Sequence, residues 1–147
     1  MGLSLQTKNA LIDAFIGRRQ NFGNGSLYIG LTTTENLEED GSNLVEPLAT
    51  DGYTRVLLGY YGQSMTQIMS ASVDGASANT AQILFPRATA DWGTIYNVVF
   101  FTAKEGGTYL GYAKLENAKA VNKDTVANFD IGAIRIAIMD ELEVSGN

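Results

Sequence analysis

Apolar and polar residues change rhythm along this chain, and the changes mark its elements. In "LSLQTKNALIDAFIGRRQ", residues 3–20, Leu11, Ile12, Phe15 and Ile16 fall at helical spacing and predict one amphipathic helix. Ser4 suits its N-cap, because a serine oxygen accepts from a free N–H of the first turn. Gly17 suits the left-handed position after the last turn, and Arg18 and Arg19 the negative end of the dipole. The apolar stripe is expected to pack on the protein's own sheet rather than on a membrane or a partner, since only one lysine precedes Gly17.

After Asn24-Gly25, a turn signal, the period shortens to two. Leu27, Ile29 and Leu31 alternate as in a half-buried strand. Gly23, Gly25 and Gly30 do not form G-x-G-x-x-G, and they precede a strand rather than follow one, so no nucleotide loop is read here. "YTRVLLGYYG" predicts the next strand, and the small polar residues from Ser70 to Thr80 a loop. Ile83 and Phe85 restore alternation, and Pro86 is expected to end that strand because it has no N–H to give a ladder. "IYNVVFFTA" and "TYLGYAKL" flank Gly106-Gly107, which predicts a hairpin over residues 95–115 with both glycines at positive φ. Lys123-Asp124 is a turn before a strand at 125–130. Ile134, Ile136 and Ile138 alternate in a final strand. Strands at this spacing predict an all-β fold, an antiparallel β-sandwich or jelly-roll-like barrel with one short N-terminal α-helix. One domain is expected over residues 1–147, which shows no repeat or linker.

Composition narrows the chemistry. The chain has neither Cys nor His. This excludes disulfides, Ser-His-Asp and Cys-His catalysis, and the commonest transition-metal ligand. The formal net charge is −6, from 10 Lys+Arg and 16 Asp+Glu, and Arg18-Arg19 is the one basic pair. Nucleic-acid binding is therefore not expected, since phosphate contact needs clustered cations. No apolar run reaches the ~20 residues of a membrane span, and "MGLSLQTK" lacks the basic and apolar regions of a signal peptide. A soluble protein without a membrane partner is expected.

Glu35, Glu38, Glu39 and Asp40 offer carboxylates to a hard cation, but their spacing fits no EF-hand loop, and a solvated surface loop is expected instead. Asp91 and Glu105 are the two carboxylates between Phe85 and Leu115. Glycoside hydrolysis can run on two carboxylates, but nothing beyond their presence supports the pairing. Trp92, the single tryptophan, follows a strand that Pro86 is expected to end and precedes the hairpin, which places it in a core. Asp91 suits a cap or turn just before it. No catalytic residue, cofactor-binding residue or metal ligand is assigned, and no cofactor is expected.

The order Asn79, Phe85-Pro86, Ala88, Trp92-Gly93-Thr94-Ile95, Gly106-Gly107, Lys119, Val121 and Asp124-Thr125 resembles a family of small tailed-bacteriophage virion proteins of the tail-fibre-like kind. The opening helix, "LYIGLTTT" and "GYTRV" extend the likeness, which spans about residues 5 to 138. It departs at Tyr96-Asn97, where the family pattern carries His, and at Phe101-Thr102, where it carries Phe-Asp. The resemblance implies a non-enzymatic structural protein of the virion, assembled in the host bacterial cytoplasm. The chain has neither coiled-coil heptads nor a repetitive shaft, which favours a capsid decoration or cement protein that stabilises the head. The alternative is a tail-fibre or collar/adaptor module. A third reading is a carbohydrate-binding sandwich, with Trp92 and tyrosines stacked on sugars. The expected partners are copies of the chain itself, as a dimer or trimer, and a major capsid protein, or else other tail proteins. Tyr60-Tyr61, Tyr109 to Tyr112, the N-terminal helix and the tail "ELEVSGN" are the segments expected to meet them.

Overall fold

The computed structural model describes residues 2–16, 18, 25–60 and 67–138. Its order is β1 (Gly2–Leu3), α1 (Leu5–Phe15), β2 (Ser26–Thr32), a 3-10 turn (Ala49–Asp51), β3 (Val56–Tyr60), β4 (Ala76–Ala78), β5 (Ile83–Arg87), β6 (Gly93–Phe101), β7 (Tyr109–Val121), β8 (Val126–Phe129) and β9 (Arg135–Ala137). Five strands form an antiparallel sheet in the order β1-β7-β6-β2-β3, and two ribbons, β4-β9 and β5-β8, stand apart from it. The all-β antiparallel expectation holds, with one short helix. The jelly-roll detail is not confirmed. Among the described residues the strands make one larger sheet and two short ribbons rather than two four-stranded halves.

The core lies between the sheet and the ribbons. Ile29 and Leu31 of β2, Leu58 of β3, Ile95, Val98 and Phe100 of β6 meet Ile83, Phe85 and Phe129 from the ribbons. A register shift between Ile95 and Asn97 brings residues of opposite parity into the same core. Val99 and Phe101 are also buried, so the central strand is covered on both faces.

Local chemistry explains most boundaries. Ser4 caps α1 as expected, accepting from the Thr7 N–H at 3.2 Å. The hairpin forms as expected, with Gly106 at φ +62° and Gly107 at φ +74°. Asp124 takes a positive φ in the expected turn.

Four expectations need correction. Pro86 lies inside β5, not at its end, where pairing with β8 slips between Leu84 and Arg87 and no N–H is demanded of it. The supposed loop from Ser70 to Thr80 contains β4, whose small residues pair with β9 some sixty residues later. The final strand is short: Ile134 is buried in the core, but Ile138 is 71% exposed. The helix stripe does not bury on the sheet, because the helix docks through polar contacts at its start. The Ser4 N–H and the Thr7 hydroxyl both donate to the Leu110 carbonyl, at 3.0 and 2.9 Å. That tilt leaves Ile12, Phe15 and Ile16 at 57%, 81% and 58% exposure. Gly17 and Arg19, expected at the helix end, and Asn24, Tyr61 and "ELEVSGN" lie outside the described residues.

Candidate functional site

Part of the motif, from Ala88 and Trp92 to Val121 and Asp124-Thr125, comes together as a structural knot. Trp92 is 5% exposed; its indole N–H donates to the Asp51 carbonyl at 2.8 Å and its ring meets Tyr53 edge-on at 5.4 Å. The Trp92 N–H donates to Val121, the Ala88 N–H to Thr125 and the Asp124 N–H to Ala88. Asp91 accepts from the Lys123 N–H at 2.8 Å and so secures the turn between β7 and β8. Asn79, 1% exposed, ties β4 to the start of β9. Its amide donates to Ala81 and Asp130, and its side-chain oxygen accepts from the Ile134 N–H. Trp92 and Tyr53 are therefore packing groups and present no face for stacking on a sugar.

A charged cluster that the sequence did not disclose lies beside this knot. Arg55 holds Glu46 through its Nε and Nη2, the shortest contact being 2.7 Å, with side chains only 9% and 16% exposed. Glu46 Oε2, which Arg55 Nε also reaches at 3.1 Å, accepts from the Tyr53 hydroxyl at 2.6 Å, and that hydroxyl accepts from the Leu31 N–H at 2.9 Å. Arg55 Nη1 reaches the carbonyls of Ala103 and Gly106, each at 2.8 Å, and the guanidinium lies 3.5 Å over the Phe101 ring. The cluster thus clips the Gly-Gly turn to the loop before β3. A methyl at Gly30 would stand 2.6 Å from the Tyr53 hydroxyl, so only glycine admits this tyrosine. The donors and acceptors of Glu46, Tyr53 and Arg55 point at one another, an arrangement suited to bracing rather than proton transfer.

Burial, and then Glu46 beside it, hold the Tyr53 hydroxyl far above its usual pKa, while burial next to Tyr112 and Asp40 pushes Tyr109 up to about 12. Folded tyrosines keep protons that the unfolded chain loses above about pH 10. Stability is then fully present below pH 10 and falls as pH rises beyond it. Thermal melts should show that loss between pH 10 and 12, and Tyr53→Phe should flatten it. A Tm unchanged across that window would contradict this reading.

The acidic stretch is the solvated surface loop that was expected. Glu35, Glu38, Glu39 and Asp40 are exposed; Glu39 pairs with Lys8 at 2.7 Å, and Asp40 accepts from the Ser42 N–H, which lowers its pKa. Among the described residues no three acidic side chains converge as a metal site would require.

What remains is an apolar surface. Leu5, Ile12 and Ile16 line up along α1 with Phe15 beside them, all more than half exposed. Next to them is a groove of about 220 Å³ walled by Leu3, Leu11, Leu110, Ile136 and Ile138. Four large apolar side chains exposed along one short helix and its cap are a feature that marks contact with another molecule.

A family model described as Podophage GP4 fiber I protein gp80 matches residues 2–137. No curated protein sequence matches the chain significantly. A fibre family fits the tail-fibre alternative better than capsid decoration, which nothing in the match supports. Matched from β1 to the end of β9, the chain belongs to the family of the podophage GP4 fiber I protein gp80, structural proteins of the tailed-phage virion.

Proposed function

We propose that this protein is a non-catalytic subunit of a phage tail fibre, which assembles with copies of itself and with other tail proteins. Membership of a fibre family over residues 2–137 carries the reading. The fold supports it: the buried polar groups of Glu46, Tyr53, Arg55 and Asn79 are engaged in bracing, and Trp92 and Ile95 are core rather than cleft. The apolar face of α1 supplies the contact between copies. Its residues stand in water at about 25 cal/mol per Å² of apolar surface, a cost that burial against an identical face removes. Identical subunits most often close this way into a dimer or trimer. A stable contact should bury more than about 1,000 Å² in total, which requires the helix and the neighbouring groove together.

Sedimentation of the free protein should show a closed dimer or trimer. Ile12→Glu with Phe15→Glu should yield monomers whose circular dichroism shows the fold intact, because both side chains are exposed within a single copy. Isolated tails should capture the protein, and empty capsids should not. A strict monomer that neither particle captures would end the reading.

A further inference from the structure

β7 runs from Tyr109 to Val121, yet β1 lies along its outer edge only at Gly111 and Tyr112. Beyond that point β6 is its one strand partner among the described residues. β9 pairs with β4 on one side, and no described strand lies on the other. These two edges, open among the described residues, border the same groove, of about 720 Å³, with residues 113–117 and 119 on one wall and 133, 135 and 137 on the other. Its floor includes Phe100, Phe129 and Ile134, and its rim carries Lys114, Lys119 and Arg135 against Glu116. Three of the 10 basic residues of an acidic chain are thus gathered at one groove.

We propose that this groove binds an extended peptide segment with alternating acidic and apolar side chains, added as a strand to the open edge of β7. An open edge offers a row of N–H and C=O groups, which an extended peptide pairs and a sugar does not. The alternation follows from the walls: apolar side chains turn to the floor, and acidic ones meet the lysines and Arg135. β7 also departs from β6 here. Two steps on β6, Ile95 to Asn97, oppose five on β7, Lys119 to Lys114, and the bulged stretch stands at the groove. Lysines and bulges also guard open edges against unwanted pairing, but guarding an edge requires no apolar floor shared with a second edge. The proposal rests on the fibre reading only for the source of the segment, another polypeptide of the fibre.

The test is an NMR titration of the full chain with three probes: a synthetic octapeptide alternating Glu and Val, its Lys-Val counterpart, and polygalacturonate. The Glu-Val peptide should shift the amides of residues 113–119 and 133–137 and slow their hydrogen exchange, and the Lys-Val peptide should bind at least tenfold more weakly. Lys114→Glu with Lys119→Glu should reduce Glu-Val binding at least tenfold, with the amide spectrum confirming that the variant is folded; Arg135→Glu alone should give a smaller loss. No response in the groove would overturn the proposal. So would a response to polygalacturonate equal to that of the peptide without edge protection, which indicates an anionic-glycan site. Self-association of the lysine variant without peptide binding would assign the lysines to guarding the edge. Failure of the fibre reading would leave the peptide titration unchanged, and the two are therefore separable.

Discussion

Trp92→Ala is expected to destabilise the protein by about 3–5 kcal/mol, the range for deleting a large buried aromatic. The ring is 5% exposed and packs against Tyr53, which itself stacks on Phe85. Its removal leaves a cavity at the junction of the ribbon β5-β8 with the main sheet, and takes one of two donors from the Asp51 carbonyl, which keeps the Thr89 N–H. At about 2–4 °C per kcal/mol for a chain of this size, the melting temperature should fall by at least about 6 °C. Trp92→Phe keeps most of the packing and loses the hydrogen bond, and should cost nearer 1 kcal/mol. Calorimetry on both variants separates the terms. An alanine variant with an unchanged Tm that no longer binds tails would make Trp92 a contact residue instead.

Glu46→Ala should be the second large loss. It leaves Arg55 buried without its carboxylate and takes the acceptor from the Tyr53 hydroxyl. Breaking a buried ion pair from one side costs about 3–5 kcal/mol, because the remaining charge is stranded in low dielectric. Replacing both partners, as Glu46→Gln with Arg55→Met, should cost less than Glu46→Ala alone, since no charge is then left unpaired. Urea unfolding of the set checks the ordering. A double variant as unstable as the alanine variant would mean that the attraction itself, rather than the stranded charge, is what matters. Arg55 also holds Ala103 and Gly106, so hydrogen exchange should quicken first in the Gly-Gly turn.

The sequence disclosed what local chemistry decides. Ser4 at the helix start, Gly106-Gly107 between two apolar stretches and the Lys123-Asp124 turn each act within a few residues, and each forms as expected. Burial of Trp92 was legible because the surrounding strands alternate. Non-local pairing was hidden. Ala76–Ala78 has no strand signal of its own and becomes β4 only because Arg135–Ala137 arrives beside it. Glu46 sits in an acidic, turn-rich stretch, and Arg55 interrupts an apolar one; nothing in either stretch marks the pair that the fold makes. Periodicity marks the helix stripe but does not say what covers it. Docking through Ser4 and Thr7 turns that face outward, and an expected core contact becomes the candidate assembly surface. The head-or-tail choice was likewise beyond local chemistry. A missing shaft argues against a whole fibre but not against one subunit of it, and the family match runs through residues 2–137.

The central claim, that this protein is a tail-fibre subunit, is tested most directly by locating it in purified particles, with antibody-labelled electron microscopy joined to quantitative mass spectrometry for copy number. The account predicts label confined to the tail, in a small number of copies per particle that is a multiple of the oligomer seen by sedimentation. Label spread over the head in hundreds of copies would contradict it.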